Sequence, residues 1–160
     1  GIEYDPVHIE IAEQFFNIRQ DNVTLHQADA VEWLNNYQGP RFDMIIDDLF
    51  GEVDGEPSRA VEVTNQWARK LLSNVNKTGM VVSNFISQKE LKASAYMQDR
   101  LLQSRIKSYF VLSNPYYENA VGVFLGKQAK SRDLRDRLQT VPLFNSRRKL
   151  NKLNYRIRQL

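Results

Sequence analysis

Cysteine is missing altogether from these 160 residues, which excludes disulfides, thiolate metal sites and cysteine nucleophiles together. The same absence fits a reducing compartment. Histidine is almost as scarce: His8 and His26 stand far apart with no partner pattern, and each reads as a surface or packing residue. No apolar run approaches the roughly 20 residues of a membrane span, and no charged stretch followed by an apolar one opens the chain. A soluble, cytoplasmic protein with no membrane association is expected.

What is present suffices for one ordinary globular domain, since 42% of the residues are hydrophobic. The net charge of +3 hides a split. Residues 127–160 hold eleven Lys or Arg against Asp133 and Asp136, a balance of +9 that leaves −6 for residues 1–126. An acidic body with a basic tail is not the uniform basic face of a dedicated nucleic-acid binder.

Along the chain, strands and helices alternate. Ile2-Glu3-Tyr4-Asp5-Pro6 reads as the end of a buried strand turning into a helix, with Asp5 as N-cap and Pro6 as first residue. Val7, Ile11, Ala12, Phe15 and Phe16 then fall on one stripe, which predicts a helix over residues 6–18. Residues 23–27 alternate like a strand, and Asp29 and Glu32 are spaced as a capping box for the next helix. After the Gly39-Pro40 turn, residues 42–48 run Phe-Asp-Met-Ile-Ile-Asp-Asp, the pattern of a central strand covered on both faces. An acidic loop at 49–57 leads to Ser58 as the expected cap of a helix carrying Thr64, Ala68, Leu71, Leu72 and Val75. Lys77-Thr78-Gly79 turns into a buried strand at 80–83. Ser87 and Glu90 open a helix carrying Leu91, Ala95, Leu101 and Leu102. Residues 106–112 and 120–125 lie too close for a crossover helix, so they pair as an antiparallel hairpin. Two helices, at 131–139 and 144–159, complete the basic tail, the second with Leu150, Leu153, Ile157 and Leu160 on one stripe. These elements make an α/β fold with a mostly parallel sheet, whose ligands bind at the carboxyl ends of the strands. Glu3, Asp29, Asp47 and Asp48 all lie at or just past such ends.

In this order and spacing the motifs resemble the class I S-adenosylmethionine-dependent methyltransferases, and within them the spermidine-synthase-like branch. The similarity runs to about residue 126, giving a division into a transferase-like domain at 1–126 and a basic helical extension at 127–160. Glu3 with Tyr4 looks like that branch's ribose-binding strand end. Asp29-Ala30 looks like the segment that meets adenine, and residues 42–48 look like the strand whose last Asp lies beside the sulfonium and the attacking amine. The resemblance therefore implies a Rossmann-like fold, S-adenosylmethionine or its decarboxylated form as cofactor, and an acceptor, possibly an amine. It implies Asp48 as the catalytic residue and Glu3, Tyr4, Asp29, Ala30 and Asp47 as the cofactor-binding set. Adjacent residues at a strand end point to opposite sides, so only one of Asp47 and Asp48 faces the crevice, and family position favours Asp48.

The departures from the family pattern have consequences of their own. The first strand and its glycine-rich turn would lie before Gly1, so a truncated fragment lacking them is expected. Leu49-Phe50-Gly51-Glu52 stands where aminopropyltransferases carry small residues and a second Asp, which disfavours a true polyamine aminopropyltransferase. Ser83-Asn84 stands where metal-dependent relatives carry an Asp-Asn pair, so no metal site is expected. Asp29 is also an ordinary helix cap, Asp48 an ordinary turn-former, and the acidic loop an ordinary solvated lid. Tyr116 and Tyr117 either wall an acceptor pocket or merely cap a hairpin. A non-catalytic interaction module is the rival reading, its basic tail meeting RNA, another acidic partner or a second subunit.

Overall fold

Short polar side chains ahead of several helical stretches leave their mark at the helix starts. The computed structural model describes residues 1–18, 21, 23–142 and 155–160, and its backbone divides into two units, Gly1–Pro40 and Arg41–Leu160. In the first unit, β1 (Ile2–Glu3) leads into α1 (Pro6–Phe16), and β2 (His26–Gln27) into α2 (Ala30–Asn36). The strands pair in parallel, Ile2 opposite His26. Asp5 Oδ1 accepts from the Val7 N–H at 2.8 Å, satisfying a donor that the first turn leaves unpaired. Helix α1 stops at Phe16, two residues early, where Asn17 takes φ 53°, a left-handed conformation that asparagine tolerates. None of its residues is buried, so the stripe of Val7, Ile11, Phe15 and Phe16 is largely exposed.

The second unit follows as β3 (Phe42–Asp47), the hairpin β4 (Phe50–Val53) and β5 (Glu56–Arg59), α3 (Asn65–Asn74), β6 (Val75–Phe85), the short helices α4 (Gln88–Ala93), α5 (Ala95–Gln98) and α6 (Arg100–Arg105), then β7 (Ser108–Ser113), β8 (Ala120–Leu125), α7 (Ser131–Gln139) and β9 (Arg156–Gln159). Five strands form one sheet in the order β3-β6-β8-β7-β9. Strand β6 is parallel to β3 and antiparallel to β8, and β7 and β8 form the expected antiparallel pair. The carboxyl ends of β3 and β6, the β7–β8 loop and the start of β9 consequently share one edge of the sheet.

Several expectations change. Ser58 does not cap a helix: it lies in β5, and Thr64 caps α3 by accepting from the Trp67 N–H at 3.3 Å. The helix expected after Ser87 is three helices, because Ser94 and Asp99 hold extended backbone; Asp99 then caps α6 through the Leu101 and Leu102 N–H groups. Of the helix expected at 144–159, residues 144–154 lie outside the described residues, and Arg156–Gln159 is a strand. Its Arg-Ile-Arg alternation has the period of a strand, and pairing with β7 satisfies backbone groups that an edge would leave open. Strand β3 is not covered on both faces: Met44 is 49% and Ile46 65% exposed, because this unit's helices pack on β6 and β8.

The core lies where those helices meet the sheet, around Leu71, Val81, Phe85, Leu91, Tyr96, Leu102 and Phe124. Tyr96 stacks on Phe124 with ring centroids 3.9 Å apart. Burial pushes the Tyr96 phenol well above its usual range, so the ring serves as a neutral packing element. Among the described residues no helix is long and apolar enough to cross a membrane. Leu91→Ala should cost about 2–5 kcal/mol, while Leu101→Ala, at an exposed position, should cost less than about 0.5 kcal/mol. Urea denaturation monitored by circular dichroism reads both, and equal losses would contradict this assignment of faces.

Candidate active site

The carboxyl end of β3 separates its two aspartates. Asp47 turns inward with its side chain fully buried, and Asp48 is exposed. Both oxygens of Asp47 accept from Arg59 Nη2, at 3.0 and 2.8 Å. Arg59 itself is 3% exposed at the side chain. Its Nε donates to the Val61 carbonyl at 3.0 Å, its Nη1 to the Asn84 carbonyl, and Glu90 Oε1 lies 3.9 Å from Nε. The rings of Phe50 and Phe85 each centre 5.5 Å from the guanidinium carbon. A buried cation is thus surrounded by a carboxylate, two carbonyls and two aromatic rings, which together offset its desolvation.

This cluster fixes the hairpin. Phe50 and Arg59 are the pair at the base of β4 and β5, so the anchored guanidinium ties that base to the ends of β3 and β6. The hairpin turns at Asp54 and Gly55, with φ of 53° and 83°, a left-handed pair suited to a tight turn between strands. It carries Glu52, Asp54 and Glu56 exposed. The acidic segment expected as a mobile lid is therefore a paired arm.

Asp48, released from Arg59, accepts from Asn84 Nδ2 at 3.0 Å, and Asn84 Oδ1 accepts from Asn119 Nδ2 at 3.2 Å. Tyr116 and Tyr117 lie in the β7–β8 loop at the same sheet edge, 76% and 70% exposed. The structure thus brings Asp47 and Asp48 together while giving them different work. Asp47, expected among the cofactor-binding residues, is instead half of a structural ion pair, because both its oxygens are already engaged.

In the first unit Glu3 ends β1 half-exposed. Its Oε1 accepts from the Asp5 N–H at 2.9 Å and lies 3.4 Å from His8 Nδ1. Tyr4, the next residue, is largely exposed. Asp29 caps α2, accepting from the Glu32 N–H at 2.8 Å, with Ala30 as the first helical residue and the Ala28 N–H bonded to the Glu3 carbonyl at 3.0 Å. Glu3, Tyr4, Asp29 and Ala30 are thereby neighbours at the ends of one parallel strand pair. A cavity of about 500 Å³ opens along α2, lined by Asp29, Glu32, Trp33 and Tyr37.

Sequence reasoning missed Arg59, Asn84 and Asn119 as site residues. Arg59 left a signal: it is the sole Lys or Arg between Arg41 and Arg69, in a stretch holding seven carboxylates. A lone cation in such company is a candidate for burial with one of them.

No protein-family model and no curated protein matches the sequence. Solved structures do, and the fold is that of the class I S-adenosylmethionine-dependent methyltransferases and spermidine synthases. A probable spermidine synthase from Corynebacterium glutamicum aligns with a TM-score of 0.65 at 16% identity, over 87% of this chain and 53% of that one. Human methyltransferase-like protein 13, in complex with SAH, aligns at 0.59 and 17%, over 84% and 65%. A spermidine synthase in complex with the transition-state analogue AdoDATO aligns at 0.60 and 12%, over 91% and 49%. The chain spans 49% to 65% of the length of these structures.

Arg59→Leu and Asp47→Leu should each destabilise the chain by about 3–5 kcal/mol, since each leaves the other charge buried without its partner. Replacing both by leucine should recover much of that loss. Chemical denaturation of the two single variants and the double variant checks it; additive losses would mean that the pair is not coupled.

Proposed function

We propose that the chain is an S-adenosylmethionine-dependent transferase that moves a methyl or aminopropyl group from the sulfonium cofactor to an amine-bearing small molecule. The observation that carries this reading is the separation of the two aspartates. Asp47 is neutralised inward by Arg59, so the carboxylate left exposed at the end of β3 is Asp48, at the ligand-binding end of the strand.

The residues present fit the cofactor. A carboxylate offers about four lone pairs, and the contacts of Glu3 with the described residues fall on Oε1 alone, so Oε2 is open to the vicinal hydroxyls of a ribose. Asp29 serves as a cap through Oδ1, and its role toward adenine falls to the neighbouring backbone of residues 29–30. When bound, the cofactor supplies a carbon already activated by a sulfonium, which departs as a neutral thioether. Asp48 attracts the acceptor's ammonium and takes one of its protons, which frees the nitrogen lone pair that forms the new N–C bond. Chemistry of this kind requires little more than placement, exclusion of water and one base.

A polyamine is the narrower reading of the acceptor. The spermidine synthases among the similar folds motivate it, as does the line of Glu52, Asp54 and Glu56 on the arm after Asp48. We place the activity in the cytoplasm, on the absence of cysteine.

Titration calorimetry of the full chain with S-adenosylhomocysteine and with methylthioadenosine tests the cofactor reading. Micromolar binding of one of them is expected, weakened about tenfold by Glu3→Gln. Asp48→Asn should leave that binding intact and lower transfer to putrescine or a simple alkylamine by at least about a hundredfold. Binding of neither thioether would sink the proposal.

A further inference from the structure

We infer that Asn84 and Asn119 are positioning residues for Asp48, forming a directed amide relay across the sheet edge that fixes one oxygen of the carboxylate and leaves the other for the acceptor. The inference rests on Asp48 being the acceptor-facing carboxylate, yet the relay itself is observable without any transfer.

The register brings the three residues together. Asp47 pairs with Ser83, so Asp48 falls opposite Asn84 one step further along; Phe85 pairs with Ala120, which sets Asn119 just beyond. Asn119 Nδ2 donates to Asn84 Oδ1 at 3.2 Å and Asn84 Nδ2 donates to Asp48 Oδ1 at 3.0 Å. The direction is dictated from the Asp48 end. An ionised carboxylate only accepts, so Asn84 must present its NH₂ to Asp48 and its oxygen to Asn119, and Asn119 must present its NH₂ in turn. The Asn84 main chain is pinned as well, because its carbonyl accepts from Arg59. Arg59 therefore acts on both neighbours of the site: it draws Asp47 inward and holds the residue that orients Asp48.

The consequence is asymmetric. Among the described residues Asn84 is the side chain that donates to the Asp48 carboxylate, and it uses Oδ1. Oδ2 has no hydrogen-bond partner among them. The other charged groups of the cluster, Asp47, Arg59 and Glu90, are engaged with one another behind the strand ends. An asparagine suits the relay better than a lysine or an aspartate would. It gives Asp48 one directional hydrogen bond without cancelling the charge that draws an ammonium or setting a second carboxylate against it.

The test is carbon-detected NMR of the Asp48 side-chain carboxyl in the full chain at neutral pH. Asn84→Ala removes the donor, so the chemical shift of the Asp48 carboxyl carbon should change; Asn119→Ala, which loosens the relay one step away, should move it the same way by less. An Asp48 carboxyl resonance unchanged in both alanine variants would overturn the relay. Should Asn84→Ala fail to fold, Asn119→Ala carries the test alone, since Asn119 sits in a loop. In transfer assays with putrescine, the alanine variants should lose kcat while S-adenosylhomocysteine binding stays within twofold, and a loss of that binding instead would point to a merely structural role. Changes at the Asp48 carboxyl resonance without any thioether binding would sink the transferase reading and leave the relay standing.

Discussion

One buried guanidinium organises the carboxyl edge of this sheet. Removing an arginine and an aspartate from water costs several kcal/mol for each ion, and an isolated pair seldom recovers it. Here the recovery is shared among a bidentate carboxylate, two backbone carbonyls and two aromatic faces contributed by β3, β4, β6 and the segment after β5. Because the compensation is spread over four pieces of chain, Arg59 reaches its minimum only when all four are in place. The ion pair is weak evidence for stability and stronger evidence for register. It determines where the β4–β5 hairpin begins, which way Asp47 points, and hence which way Asp48 does not.

The acidic residues divide by partner. Asp5, Asp29 and Asp99 accept from backbone N–H groups at helix starts, the use that a short carboxylate finds wherever a helix leaves its first donors unpaired. At Asp99 the hydrogen bond from Arg69 Nη2 at 2.9 Å, joined by the cap bonds, holds the carboxyl below its usual range. That contribution is complete above the unfolded-state pKa near 4 and fades as pH falls through the lowered folded-state value. Asp47 is an ion-pair partner. Glu3 and Asp48 cap no helix: Glu3 Oε1 accepts from the Asp5 N–H, and Asp48 Oδ1 from the Asn84 side-chain amide.

Much of the fold was legible because it is written locally. Pro after Asp, carboxylates three residues ahead of a helix's fourth donor and the Gly39-Pro40 turn depend on a few neighbouring residues, and the caps at Asp5, Asp29 and Ser87 all form. The alternation of strands and helices, and the closing hairpin, were legible for the same reason. What resisted was nonlocal. Residues 49–57 read as a loop and Ser58 as a helix cap because the acidic, glycine-containing composition hides the pairing of Phe50 with Arg59, which depends on burying a cation against distant residues. Residues 156–159 read as helix because Ile157 and Leu160 also fit a helical stripe; the open edge of β7, absent from any local window, decides for a strand. The place of Asp48 just past the end of β3 was legible from the apolar run before it. Its contact with Asn84 was not, because that depends on how β3 and β6 slide past one another.

The pairing of Arg59 with Asp47 also sets the sign of the field at that edge. The pair carries no net charge, so what remains exposed around the end of β3 is Asp48 together with Glu52, Asp54 and Glu56, with no exposed Lys or Arg on the hairpin to balance them. Had Arg59 paired with Asp48 instead, the acceptor side would be neutral and Asp47 would sit buried as an unpaired charge, the costlier arrangement by several kcal/mol. The folded chain therefore cannot neutralise Asp48 without destabilising its own core. That asymmetry keeps at the strand end a carboxylate with no cationic partner among the described residues, so the local field there favours positive charge and disfavours negative.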